Sequence, residues 1–181
     1  MSAFTGIVER VRRLRPGQRF ALQVCLIVLT AFAVYANALG NGFVYDDHMQ
    51  ILENPWLRDP RSLFEIFTNS VWAFTEYSVS DYYRPLMHAL NLVLYSVCGP
   101  KRFFFHLASI LLHAGCSVML LLAGREYLRN QPENGSAAAG GMAFWAALLF
   151  AVHPVNVEAV AWLSCTPELL NVLFGVSSLW A

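Results

Sequence analysis

Two long stretches of the chain contain no charged residue, and each is long enough to cross a lipid bilayer. They are residues 20–39 and residues 103–124. As an α-helix, a stretch of this length rises about 30 Å, the thickness of the hydrocarbon core. Helices of soluble domains rarely look like this, because they keep a polar face toward water. The pattern therefore predicts an all-α membrane protein with transmembrane helices at residues 20–39 and 102–124.

A third apolar run and the start of a fourth helix follow. The third, residues 142–154, ends at a His-Pro pair, and the fourth, residues 168–181, begins after Thr166 and Pro167. Proline at the first position with an acid in the first turn is typical of a helix start. We therefore expect three full spans and a truncated fourth, as in a fragment of a longer protein. Two further connections are predicted between these helices, a cytoplasmic linker and an outer segment: residues 125–141 and 155–167.

The segment between the first two spans is predicted to be a long outer loop with short interfacial helices. It covers residues 40–84, and Pro60 and Ser62 mark the start of one such helix. Residues 85–98 are apolar but too short to cross a bilayer, so they predict an interfacial helix. The Gly-Pro pair that follows should end it.

The distribution of arginine predicts the orientation. Five arginines lie within residues 1–19, and Arg125 and Arg129 follow the second span. Positive residues that flank spans stay in the cytoplasm, so the N-terminus should be cytoplasmic. The membrane itself would be a bacterial inner membrane or an endoplasmic reticulum membrane. An alternative is a cleaved signal peptide, since residues 36–38 form an A-x-A pattern.

Composition agrees with a membrane protein. Apolar residues make up 57% of the chain and charged residues 13%, against about a quarter charged in soluble domains. The net charge is zero, so no nucleic-acid partner is indicated.

The predicted topology places the informative polar residues on the outer side. Asp46 and Asp47 are adjacent carboxylates, which suits a general base or a cation site, although spacing alone favours a solvated turn after Gly42. Arg84 precedes Pro85 and should be the N-cap of the interfacial helix. Arginine is a poor cap, but an anion such as a lipid phosphate would gain from it and from the free backbone N–H groups. The alternative is an arginine that reaches ordinary lipid headgroups.

Several histidines and one further acid complete the set of candidates. Glu158 follows His153 by five residues and would be either a pocket carboxylate or a structural residue, as a cap or in an interfacial pair. His106 and His113 share one face of the second span. Without carboxylate or cysteine companions they predict helix packing rather than a metal site.

Five motifs, read in order over about residues 20–181, resemble one family. It is the transmembrane and tetratricopeptide-repeat protein O-mannosyltransferases with their bacterial relatives, within the C-type glycosyltransferase (GT-C) superfamily. The motifs are Phe-Val-Tyr-Asp-Asp at 43–47, Ile-Leu-Glu-Asn-Pro at 51–55, Tyr-Arg-Pro-Leu at 83–86, the pair His106 and His113, and Phe-Ala-Val-His-Pro-Val-Asn-Val-Glu-Ala-Val at 150–160.

The resemblance implies a polytopic enzyme that moves a sugar, mannose by analogy, from a polyprenyl-phosphate carrier to a protein Ser or Thr hydroxyl. Such enzymes look metal-independent, need no cofactor and invert the anomeric centre. Asp46 or Asp47 would be the general base, with Asp46 favoured. The residues implied to bind the donor and its phosphate are Tyr83, Arg84, His153, Glu158 and Glu168.

One departure from the family concerns the fourth span. The family usually has an arginine followed by an acid there, and this chain keeps the acid as Glu168 but has Ser-Cys-Thr-Pro at 164–167. The resemblance also implies a longer parent chain, whose further spans and tetratricopeptide repeats would pack with this part. The other implied partners are the bilayer and an acceptor protein. We expect the isolated 181-residue chain to be inactive, because its site would lack supporting helices.

Two other functions are open at this point. One is a non-catalytic membrane module that binds a lipid phosphate or partner helices. The other is part of a transporter, which is disfavoured because transporters place ionisable groups near the midplane.

Overall fold

Helices make up all the regular secondary structure in residues 14–75, 80–131 and 136–180, the ranges described by the computed structural model. The all-α prediction is confirmed for these ranges. Two helices are long and apolar enough to cross a membrane, and a bent pair makes a third candidate. The exact number of spans stays a prediction, and most of the basic tail lies outside the described residues.

The first candidate span begins earlier than the charge pattern suggests. Helix α1 covers Pro16–Tyr35, and a 3₁₀ turn over Ala36–Gly40 extends it. Pro16 lies in the first turn, where a helix has no use for the missing backbone N–H. The helix therefore includes Arg19, which the sequence places just before the span.

Short helical turns fill the loop that follows α1. Pro60 opens a 3₁₀ turn that leads into helix α2, Leu63–Thr68, where the sequence predicts a helix start. Asn54 and Asp59 each accept a hydrogen bond from the backbone N–H two residues ahead, at 2.9 Å. These caps set the successive turns, since each satisfies a backbone donor that the turn leaves free. The turns before α2 are a π-helix at His48–Glu53 and 3₁₀ turns at Pro55–Arg58 and Pro60–Ser62.

Helix α3, Pro85–Cys98, holds this loop in place. It ends at Gly99, whose φ of 66° is a conformation that suits glycine. His88 on α3 is buried and lies between two parts of the loop. Its Nε2 donates to the Val71 carbonyl at 3.1 Å, and its Nδ1 accepts from the Asn54 amide at 3.4 Å. The neutral imidazole therefore ties the loop to α3.

The pKa of His88 leads to a prediction about pH. Burial lowers this pKa below the usual value, with a smaller effect of the same sign from the Arg84 charge, while the bond to the Val71 carbonyl opposes both. Above about pH 6.5 the imidazole is neutral in the folded and the unfolded chain. Below that, the unfolded chain takes up the proton first, so the free energy of unfolding should fall by up to about 1.4 kcal/mol per pH unit.

Thermal unfolding in detergent between pH 7.5 and 5.5 checks this. We expect the unfolding midpoint of the wild type to fall as the pH falls. His88→Gln should be less stable at pH 7.5, but its midpoint should change less with pH. His153→Gln is the matched control at an exposed histidine. Equal slopes for wild type and His88→Gln would contradict the assignment.

Helix α4, Arg102–Arg129, is the central element of the bundle and the second candidate span. It packs against α1 and against helix α5, Ser136–Val152. Alanine side chains let these helices approach closely, and a Cβ on Gly124 would lie 3.4 Å from Ala143. His113 on α4 makes a 3.1 Å hydrogen bond to the Ala151 carbonyl of α5, in the packing role that the sequence predicts for this histidine. The buried residues of this core are Ile27, Ala31, Ala114, Leu121, Ala143, Ala147 and Ala151.

Both predicted connections contain helical residues. The linker at 125–141 is mostly helical, because α4 continues to Arg129 and α5 begins at Ser136. Its run of alanines favours helix over loop. The outer connection at 155–167 also folds into helical turns, and the axis bends by 49° after Val152. These turns are Pro154–Asn156 (3₁₀), α6 at Val157–Ala161 and Leu163–Cys165 (3₁₀), before α7 at Thr166–Trp180.

Candidate functional site

Asp47 joins the loop after α1 to the connection before α7. Its side chain is 0% exposed. One carboxylate oxygen, Oδ1, accepts from the Ser164 N–H at 2.9 Å and from the Ser164 hydroxyl at 2.7 Å. The other, Oδ2, accepts from the Val44 N–H at 3.1 Å. With three donors on a buried carboxylate, Asp47 links two distant parts of the chain and is closed to a substrate.

Asp46 faces a cavity instead. The preceding residue, Tyr45, has a φ of 47°, which is uncommon for a residue with a side chain. Tyr45 lies in the turn that leads into Asp46 and Asp47. The half-buried Asp46 lines a cavity of about 240 Å³ together with Arg84, which we call the acid–arginine cavity. Its lining residues are Asp46, Gln50, Val71, Trp72, Tyr82, Arg84, Trp162, Ser164 and Cys165.

Arg84 lies on the wall between two cavities. It is the N-cap residue of α3, with Pro85 in the first turn, as the sequence predicts. Its guanidinium lies 5.2 Å from the centre of the Tyr82 ring. Within the described ranges, no carboxylate lies within salt-bridge distance of it. Arg84 therefore offers an uncompensated positive charge to both cavities.

The second cavity lies between α3 and α7 and has a volume of about 330 Å³. Arg84, Tyr83 and Glu168 line it, together with apolar side chains such as Leu86. The Tyr83 hydroxyl donates to the Phe67 carbonyl at 2.7 Å, so it braces the loop. We call this the α3–α7 cavity.

A third cavity, of about 310 Å³, brings the remaining acids together. Glu158 and Glu168 line it with Cys165 between them. Burial raises the pKa of the Cys165 thiol to about 11, and the carboxylates of Glu158 and Glu168 add to the rise. This thiol is therefore uncharged at neutral pH.

His153 lies apart from these cavities. It is exposed, and its Nδ1 accepts from the Val155 N–H at 3.2 Å, which caps the 3₁₀ turn after α5. Its backbone carbonyl accepts from the Tyr35 hydroxyl at 3.3 Å. The geometry therefore gives His153 a capping role, which the sequence did not indicate, and its proposed place in the donor pocket stays a prediction.

Sequence reasoning put forward Asp46, Tyr83, Arg84, Glu158 and Glu168, and these residues line cavities that share wall residues, while their roles stay predictions. It missed the aromatic and amide residues of the acid–arginine cavity, which are Gln50, Trp72, Tyr82 and Trp162. No spacing marks them in the sequence, because two separate connections supply them, the loop after α1 and the segment before α7. Metal independence stays a prediction, although no group of three His, Cys, Asp or Glu side chains in the described part of the chain could hold a metal ion.

The long apolar helices and this cluster of polar cavities at one end of the bundle define a helical membrane protein. The chain is a homologue of the TMTC protein O-mannosyl-transferases. It is 33% identical to human "Protein O-mannosyl-transferase TMTC3" over 86% of this chain and 16% of the relative. The values are 36% over 77% and 15% for human TMTC1, and 31% over 90% and 19% for Drosophila melanogaster Tmtc3.

The chain therefore spans about one sixth of the length of the curated relatives it matches. No protein-family model matches it. No solved structure matches it either.

Proposed function

We propose that this chain carries the catalytic acid and the phosphate-binding arginine of a membrane glycosyltransferase of the GT-C type. The donor is a sugar, mannose by analogy with the relatives, on a polyprenyl-phosphate carrier. The acceptor is a Ser or Thr hydroxyl of a protein. The observation that carries this proposal is that Asp46 and an unpaired Arg84 line one cavity.

Asp46 suits the deprotonation of the acceptor hydroxyl, and Arg84 suits the departure of the phosphate. The Asp46 carboxylate takes the proton of the acceptor hydroxyl as its oxygen forms a bond to the anomeric carbon. The bond from that carbon to the phosphate oxygen breaks, and its electron pair leaves with the phosphate. Arg84 stabilises the charge that develops there. Attack from the face opposite the phosphate inverts the anomeric centre, which requires a base and an arginine on separate sides of the sugar.

The two cavities that share Arg84 suit different parts of the lipid-linked donor. The α3–α7 cavity combines Arg84 with exposed Leu86 and with Met87 and Leu170, which suits a phosphate attached to an apolar chain. The acid–arginine cavity would then hold the sugar. Glu168 lies on the wall that the α3–α7 cavity shares with the third cavity, and Glu158 lines the third cavity alone, where both would orient the donor or the acceptor.

Asp47 has a positioning role in this proposal. Its bonds to Ser164 hold the loop that carries Asp46 against the connection that carries Trp162. We further propose that the protein is multi-pass, with its N-terminus in the cytoplasm and these cavities on the outer side. That orientation follows from the arginines that flank the candidate spans.

The test is transfer of radiolabelled mannose from polyprenyl-phosphate-mannose to protein, in vesicles carrying the protein expressed from its complete coding sequence. We expect Arg84→Gln to lower transfer about 100-fold, because one transition-state donor is lost. Arg84→Lys should recover part of it, since lysine keeps the charge but not the fork of donors.

The matched control is Arg61→Gln at an exposed arginine of the same loop. It should transfer at the wild-type rate. If wild type transfers nothing while it still binds polyprenyl phosphate, the protein is a lipid-phosphate-binding module instead.

A further inference from the structure

Two buried polar atoms belong to residues that line the acid–arginine cavity, and neither has a hydrogen-bond partner in the described part of the chain. They are the Gln50 side-chain oxygen, Oε1, and the Trp162 indole nitrogen, Nε1. Gln50 is only 1% exposed, although it lines the cavity. Buried polar groups are almost always paired, because leaving one unpaired costs stability. Two of them at one cavity indicate that a ligand supplies the missing partners.

The chemistry of the pair describes that ligand. Gln50 Oε1 is a neutral acceptor and Trp162 Nε1 is a neutral donor. A ligand that satisfies both needs at least one group that donates and one that accepts, and a hydroxyl does either. A ligand that only donates or only accepts would leave one of the two atoms unpaired.

The rest of the cavity is aromatic. Trp72, Tyr82 and Trp162 line it, and the Tyr45 ring lies 6.0 Å from the Trp162 ring. A pyranose has apolar C–H faces and hydroxyl groups around its edge. Flat aromatic surfaces fit those faces, and a few convergent polar groups fit the edge and fix the orientation.

We infer that the acid–arginine cavity binds the hexose of the lipid-linked donor, with Gln50 accepting from one sugar hydroxyl and Trp162 donating to another. This inference rests on the proposed function only in taking the donor to be a lipid-linked sugar. It assigns Gln50 and Trp162 as specificity-determining residues. A site built to hydrogen-bond hydroxyl groups rejects a ligand that lacks them, since its own polar atoms then stay unpaired.

The experiment measures binding, so it does not depend on transfer. Quenching of tryptophan fluorescence gives the Kd of the full protein in detergent for polyprenyl-phosphate-mannose and for polyprenyl phosphate. We expect wild type to bind the mannosyl lipid about tenfold more tightly. Gln50→Leu and Trp162→Phe should each lose about three- to tenfold of that difference, as for a lost neutral hydrogen bond. Both should bind polyprenyl phosphate like wild type.

Trp145→Phe is the matched control at an exposed tryptophan of α5, and it should leave both Kd values unchanged. Gln50→Leu should also unfold at the same or a higher temperature, because it removes an unpaired buried oxygen. The inference is overturned if wild type binds both lipids equally, or if the variants keep the full sugar-dependent difference. Sugar-dependent binding without any transfer would support the inference while it removes the proposed function.

Discussion

Replacing Asp46 with asparagine is expected to lower mannose transfer by about 10³-fold, with the temperature of unfolding unchanged. General-base catalysis contributes about 10² to 10⁴ in rate, and asparagine has nearly the shape of aspartate but cannot take the proton. Asp46 makes no hydrogen bond or ion pair in the described ranges, so the fold loses little with it. Transfer in vesicles and thermal unfolding in detergent are measured on the same preparation.

Asp59→Asn is the matched control for this substitution. Asp59 lies in the same loop and caps a 3₁₀ turn by accepting from the Arg61 N–H at 2.9 Å, a cap that asparagine also forms. The control should transfer at the wild-type rate. Full activity of Asp46→Asn would remove Asp46 from the reaction.

The second large effect concerns stability. Asp47→Ala should lower the free energy of unfolding by about 3 kcal/mol, because it leaves the two buried donors of Ser164, and the Val44 N–H, without their acceptor. Transfer should fall as well, since the loop that carries Asp46 loses its attachment. Thermal unfolding in detergent measures the first effect, and transfer below the unfolding temperature measures the second.

A double-mutant cycle with Ser164→Ala isolates the contact between the two side chains. Ser164→Ala removes the hydroxyl but keeps the backbone N–H, so it should cost less than Asp47→Ala. The two changes together should cost less than the sum of their separate costs, because residues in direct contact are coupled. Additive costs would mean that Asp47 stabilises the fold through other contacts.

Local signals in the sequence were sufficient for several helix ends. Proline at Pro85 and glycine at Gly99 mark α3, and both act as predicted. The start of α5 was misjudged, because small residues were read as a linker where alanine propensity and packing against α4 favour helix. Tertiary packing of this kind has no signature in a short window of sequence.

The arrangement of the candidate site was harder to predict from the sequence than the helix ends. Asp46 and Asp47 are adjacent, so no pattern distinguishes them. What distinguishes Asp47 from Asp46 is its pair of hydrogen bonds from Ser164, a residue far along the chain. Likewise, Gln50 and Trp162 come together only because the loop after α1 packs against the connection before α7. Residues that a fold brings together from distant segments become visible only once the packing is known.

The most direct test of the roles proposed for Asp46 and Asp47 compares Asp46→Asn with Asp47→Asn. Both the transfer rate and the unfolding temperature are measured for each variant. The division of labour proposed for these two carboxylates predicts that Asp46→Asn loses transfer at a wild-type unfolding temperature. It predicts that Asp47→Asn unfolds at a lower temperature and keeps measurable transfer when folded. The reverse result, in which folded Asp47→Asn is inactive and Asp46→Asn is active, would contradict it.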